Sequence, residues 1–248
     1  MKAPTNVIAA LLGVAICLVV WWVASRQFSS IVVPSPGDTG KEIARLLSSP
    51  EFWSDVLFPT LFRTLVGGAI AAVVGIFLGL TAGSYQFFNA MVEPGRFVLS
   101  AIPAPVFVIL ALLWVGADHA TIVLTVAVLL TPLFFVAARD GMRGVDVSLL
   151  EMAKVFRVQR GKVIKSIVVP AVLISLVPAS RVAIANALRL TILAEILVSV
   201  GGIGERINLA RQYLNSEELF ALIIILVALI VVLERLLTVS VATQRRGI

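Results

Sequence analysis

Reactive and charged side chains are scarce in this chain. Its 248 residues include one cysteine, one histidine and two tyrosines, and only 14% are charged. The single cysteine, Cys17, has no partner for an intrachain disulfide, which excludes a disulfide-stapled scaffold. It lies in an apolar run, where a free thiol packs as a small inert hydrophobe. The single histidine, His119, stands beside Asp118 in what reads as a short outer turn. It lacks co-ligands at metal-binding spacing, so no metal site is expected. A solvated turn residue is the reading, with a minor gating role as the alternative. No apolar run carries a cluster of His, Asp, Cys or Ser at catalytic spacing, so no catalytic residue is assigned. Internal repeats and low-complexity tracts are also missing.

Apolar residues are what the chain has in abundance: 60% of the total, with a mean hydropathy of +1.06. A soluble domain is about 45–50% apolar and about 25% charged. A soluble or disordered chain is therefore excluded, and an all-α membrane protein with several spans of about 20 residues each is expected. Six transmembrane helices are read at 7–24, 61–82, 97–116, 120–138, 169–200 and 219–240. The first exceeds the 7–15 residues usual for a signal-peptide core and ends in Trp21 and Trp22, which favour the membrane interface. It reads as a retained span, with a cleaved signal as the alternative. The fifth begins with Pro170 and Pro178 and is expected to start in the cytoplasm and enter the membrane near Pro178. In the second, Gly75, Gly79 and Gly83 recur every four residues, which allows close helix contact. Packing within one subunit is preferred there over a dimerisation motif. Segment 27–60 is too polar to span and is expected outside, with a short amphipathic helix from Asp38 whose Ile43, Leu46 and Leu47 share one side.

The net charge is +6, with 20 Lys and Arg against 14 Asp and Glu. Placing both termini in the cytoplasm puts 11 basic residues inside: Lys2, Arg96, seven in the connection 139–169, Arg245 and Arg246. Six fall outside (Arg26, Lys41, Arg45, Arg63, Arg206 and Arg211), and Arg181, Arg189 and Arg235 lie in spans or at their ends. This is the positive-inside pattern. It accounts for the basic pI, so no nucleic-acid partner is expected. The connection 139–169 is too long for a simple turn. Asp146 or Ser148 can cap a helix near Leu149, with Leu150, Ala153, Val155 and Phe156 as an apolar side. Such a helix suits an anionic lipid surface or a groove on a partner protein.

Within that connection, Glu151-Met152-Ala153, then Arg157, then Ile167-Val-Val-Pro170 resembles the EAA motif of ABC importer permeases: E-A-A, three residues, glycine, nine residues, I-x-L-P. Met152, Arg157 and Val169 depart from it, and Arg157 stands where the family's glycine permits a turn. Gly161 is the residue expected to take over that freedom. The resemblance covers about 33–234. Val33-Pro-Ser-Pro36, Ile102-Pro-Ala-Pro105, Trp114-Val-Gly116, Ala194-Glu195 and Gly202-Ile-Gly204 resemble the nitrate, sulfonate, taurine and bicarbonate branch. The resemblance implies a single permease domain over 1–248 with the type I ABC importer fold, in a bacterial inner membrane. It implies coupling through Glu151, Met152, Ala153, Phe156, Arg157, Gly161 and Pro170 to separate nucleotide-binding ATPase subunits, which carry ATP and Mg. It also implies a second permease chain, in a homo- or heterodimer, and an extracytoplasmic substrate-binding protein. The chain's own Gly-Lys pairs, Gly40-Lys41 and Gly161-Lys162, lack the surroundings of a phosphate-binding loop, so it binds no cofactor itself and is not an ATPase.

Charges inside spans are costly and mark pathways or ion pairs. Span five holds Arg181, Asn186, Arg189 and Glu195. Arg181 is close enough to the cytoplasmic end to snorkel. Arg189, Asn186 and Glu195 are the candidate substrate-pathway residues. Arg189 suits an organic or inorganic anion, and the alternative is a pair with an acid. Glu195 lies about 240° further round the same helix, so a pair between those two is not expected, though pairs across helices stay open. Trp114 reads as an interface anchor, and 205–218 around Tyr213 reads as an outer docking surface or an ordinary solvated loop. A secondary carrier or channel without an ATPase partner is the alternative function. Thiamine precursors, riboflavin and other small molecules are the alternative substrates.

Overall fold

The computed structural model describes the backbone of residues 3–244 and the side chains of Ala9 and residues 12–235. The expected cytoplasmic charges Lys2, Arg245 and Arg246 lie outside those residues. Every described element is a helix: α1 (Ala3–Gln27), α2 (Pro36–Ser48), α3 (Phe58–Ser84), α4 (Gln86–Ala101), α5 (Ala104–Val115), α6 (His119–Arg143), α7 (Val147–Val155), α8 (Arg160–Val163), α9 (Val169–Val198), α10 (Ile203–Gln212) and α11 (Ser216–Gln244). Two π-helical turns, Phe52–Leu57 and Ile164–Val168, run directly into α3 and α9. Each precedes a helix with proline as its second residue, Pro59 or Pro170. A proline ring clashes with the carbonyl four residues back, and the wider π turn gives it room.

Four helices are long and apolar enough to cross a membrane: Phe52–Ser84, His119–Arg143, Arg160–Val198 and Ser216–Arg235. They carry the expected second, fourth, fifth and sixth spans. The first expected span lies on α1, whose apolar stretch is described over Leu12–Gln27. The third, expected as one helix over 97–116, is broken. Its residues divide between α4 and α5, which meet at 103°. The cause is Ile102-Pro-Ala-Pro105. A residue before proline avoids the helical region, and Ile102 is extended with ψ 123°. Pro103 then cannot continue the ladder, and Pro105 starts a new helix from its first turn.

The centre is a three-helix stack of α3, α6 and α9. Glycines let α3 press its backbone onto α6. A Cβ at position 79 would stand 2.4 Å from the Phe135 carbonyl, and one at 75 would stand 2.7 Å from the Thr131 carbonyl. Gly83 meets Met142 in the same way. The four-residue glycine spacing thus serves packing within the subunit. Ala71, Val126, Leu130, Phe134, Leu176 and Ala187 fill the seam.

A second core joins the helix ends opposite the α7–α8 connection: Leu46 of α2, Phe52, Ile203 of α10, and Leu222 of α11. Helix α2 starts at Pro36 rather than Asp38, because the Ser35 hydroxyl caps it by accepting the Asp38 amide at 3.1 Å. Its packed side holds Leu46 and Ile43, but Leu47 is turned about 100° from Leu46 and is exposed. Helix α1 is held by Trp21, which stacks on Phe220 and donates its indole N–H to the Pro34 carbonyl at 3.1 Å. Cys17 is exposed on α1 rather than packed inside the chain.

Candidate functional site

The connection after α6 folds as a compact projection. The Asp146 carboxylate caps α7 by accepting the Ser148 amide at 2.8 Å. The Ser148 hydroxyl and amide hold its carboxyl below the ordinary carboxylate range. Of α7, only Ala153 is buried. Glu151 and Met152 face outward, and Val155 and Phe156 stand clear of the chain at 78% and 74% exposure. The expected apolar side therefore divides. Ala153 and the half-buried Leu150 turn inward, while Val155 and Phe156 form an apolar tip.

The helix ends in a Schellman turn, with the Val158 amide on the Ala153 carbonyl at 2.9 Å and the Arg157 amide on the Lys154 carbonyl at 3.1 Å. This closure requires a left-handed residue, and Arg157 occupies the position with φ +49°. Gly161 does not relieve it, because Gly161 lies within the helical turn α8 and has no positive φ. The turn expected of the motif glycine is made by arginine itself. Leu150, Ala153, Val158 and Ile164 line a crevice of about 420 Å³ between α7 and α8. Pro170 opens α9 and is exposed.

Of the three pathway candidates, α9 brings two to an accessible side. Arg189 is exposed and Asn186 is half-buried. Glu195 is not with them. Its side chain is fully buried and pairs with Arg63 of α3, Nη1 to Oε1 at 2.6 Å. The Thr60 hydroxyl donates to the same carboxylate at 3.0 Å, and the Gly204 amide donates to it at 3.0 Å. Arg63 is used up as well. It donates to the Gly201 carbonyl at 2.9 Å, the Val200 carbonyl at 2.6 Å and Nδ1 of His119 at 3.1 Å. Glu195 therefore closes a polar knot inside one chain. The roughly 240° that separates it from Arg189 turns it toward α3.

The knot adds a partner to two further residues. Arg63, counted among the outer basic residues, is no free charge: its side chain is 3% exposed and paired with Glu195. His119 is exposed, as expected of a turn residue, and Nε of Arg63 donates to its Nδ1 at 3.1 Å. Gly202 closes the knot from the α9–α10 turn. Its φ is +98°, and a Cβ there would stand 2.3 Å from Glu195 Oε1. Sequence reasoning missed Thr60 and Arg63 as its partners. The signal was available: Thr60, Arg63 and Thr64 share one face of an otherwise apolar helix, and Thr64 lies 2.9 Å from Thr191 of α9.

A family described as "Binding-protein-dependent transport system inner membrane component" matches residues 71–246. The chain is 26% identical over 213 residues to the candidate aliphatic sulfonates transport permease protein SsuC of Bacillus subtilis, a match covering 85% of this chain and 77% of that protein. It is 26% identical over 185 residues to the bicarbonate transport system permease protein CmpB of Synechococcus elongatus, covering 74% and 66%. An inward-facing structure of the MetNI methionine ABC transporter matches with a TM-score of 0.63 at 18% identity, over 79% of this chain and 98% of that one. An amino acid ABC transporter crystallised with histidines matches at 0.64 and 17% identity, over 83% and 98%.

Proposed function

Because the chain belongs to the family of binding-protein-dependent transport system inner membrane components, as a permease subunit of an ABC importer and not an enzyme, we propose that it pairs with a second permease chain to form the path for a small anion. The sulfonate and bicarbonate relatives support an anion, and Arg189 with Asn186 on the accessible side of α9 supports a place for it. A guanidinium pairs bidentately with sulfonate, carboxylate or bicarbonate oxygens. Both termini are cytoplasmic in this reading, the broken pair α4–α5 and helix α1 complete six spans, and a binding protein delivers substrate to the outer surface near the exposed Tyr213 and Leu214.

The observation that carries the coupling role is the apolar tip of α7. Met152, Val155 and Phe156 are exposed on a helix that turns only Ala153 and the half-buried Leu150 inward. Such a surface suits a groove on an ATPase subunit, which holds ATP and Mg, and whose closure would rock the spans between inward- and outward-open states. Glu151→Arg is expected to preserve expression and uncouple ATP hydrolysis from uptake, measured as ATPase activity and solute accumulation in proteoliposomes. Removing 149–160 should abolish co-purification with the ATPase subunit. Normal uptake by Glu151→Arg would sink the assignment of the loop.

A further inference from the structure

Three arginines near the ends of the membrane helices are neutralised inside the chain. Arg63 has Glu195, while Arg96 and Arg139 share Glu93 at 2.6 and 2.8 Å. Arg181 and Arg189 of α9 differ from these. Among the described residues no acid stands within ion-pair distance of either. Arg181 carries a second sign of an absent acceptor: its Nε is buried and has no hydrogen-bond partner. An uncompensated guanidinium in or near the hydrocarbon is costly, and a buried donor without an acceptor adds to that cost. The missing acceptor therefore comes from outside the chain.

Both residues lie on the continuous helix Arg160–Val198. Counted from its outer end, Arg189 is about 14 Å in, near mid-depth of a roughly 30 Å hydrocarbon layer, and Arg181 is about 12 Å further toward the cytoplasm. They are about 80° apart around the helix, and Asn186 lies between them in depth, about 60° round from Arg189. Resting on the anion reading above, we propose that Arg181 and Arg189 are two successive binding sites for one oxyanion substrate, which passes from mid-depth at Arg189 to the inner mouth at Arg181. Asn186 supplies an uncharged amide donor between the two cations. Two sites of this kind keep the anion paired along its route without a single site deep enough to trap it.

The test uses the whole complex in proteoliposomes: paired permease chains, ATPase subunits and binding protein, with ethanesulfonate and bicarbonate as probes. Arg181→Gln and Arg189→Gln should each lower uptake on the order of tenfold or more, the loss expected for one charge-assisted contact. Arg181→Lys and Arg189→Lys, which keep charge but lose the planar fork, should fall between. The double Gln variant should be little worse than the worse single, because the sites act in series. Complexes of all variants should elute intact, with ATP hydrolysis still stimulated by loaded binding protein. Wild-type uptake by Arg181→Gln overturns the second site. So does a defect confined to vesicles containing phosphatidylglycerol and missing in phosphatidylcholine, which would give Arg181 to an anionic lipid headgroup. Dissociation of the permease pair in either Gln variant would assign the acceptor to an acid on the partner chain. If the unaltered complex accumulates neither probe, the anion reading itself fails, and that result is distinct because it precedes any substitution.

Discussion

Arg157 and the Glu195 knot show how much single residues decide in this chain. A left-handed backbone costs a non-glycine residue about 1–2 kcal/mol, and Arg157 bears that cost at φ +49° to close α7. Arg157→Gly is expected to stabilise the loop by about 1 kcal/mol, read as slower hydrogen exchange across α7. In the knot, removing one member of a buried ion pair leaves an uncompensated charge, which costs about 3–5 kcal/mol. Arg63→Leu should therefore lose folded protein, measured as detergent-solubilised monodisperse yield. The double variant Arg63→Leu, Glu195→Leu should recover much of it, since no charge is then stranded. Neither residue announced its partner in sequence. Glu195 is visible as an intramembrane acid, but Arg63 reads as an outer positive charge because it lies at the edge of a hydrophobic run. Only the approach of α3 to α9 across 132 positions of chain makes them a pair.

The elements are legible where apolar length alone sets them, and illegible where proline or burial intervenes. Spans two, four, five and six follow from hydropathy because a lipid-facing helix must be apolar nearly all round. The 97–116 segment has the same hydropathy and is nonetheless broken at 103°, because Ile102-Pro-Ala-Pro105 imposes backbone geometry that hydropathy does not report. The glycine seam of α3 is legible as spacing, and its partner α6 is supplied by the fold. Gly79→Ala is expected to force α3 and α6 apart and destabilise the protein by about 1–3 kcal/mol, measurable as a lower melting temperature in detergent. The cap of α7 gives a pH prediction with a definite sign. The folded carboxyl of Asp146 titrates below its ordinary value of 3.8. Its stabilisation is therefore complete above that value and fades as pH falls through the lower, folded one. Proteolysis of the loop should rise in that acid range, and Asp146→Asn should flatten the dependence.

At the scale of the whole molecule, the chain divides into a pinned end and, opposite it, a projecting one. At the pinned end, Arg63, Glu195, His119 and the α9–α10 turn tie α3, α6 and α9 together, with α2 and α11 packed beside them. At the other end, α7 and α8 stand out from the helix stack with few buried side chains. That asymmetry suits a lever: a load on the α7 tip is carried along the unbroken helix Arg160–Val198 to the knot. The class of protein was readable from composition and from the loop's residues, because both follow from its need to cross lipid and to meet a partner. The polar knot and the broken span depend on contacts distant in sequence or on local backbone sterics, which composition does not encode.

The strained turn at Arg157 has a consequence for how this loop can change over generations. Every arginine codon is a single base from a glycine codon, so relief of the strain is always within one mutational step. A chain that keeps arginine there gives up some rigidity in α7 and holds a guanidinium at its tip in exchange. Under the proposed coupling, that exchange suits an ATPase surface complementary to the charge. Under the same proposed coupling, grafting an ATPase subunit from a relative with glycine at the matching position should lower coupling until Arg157→Gly is introduced.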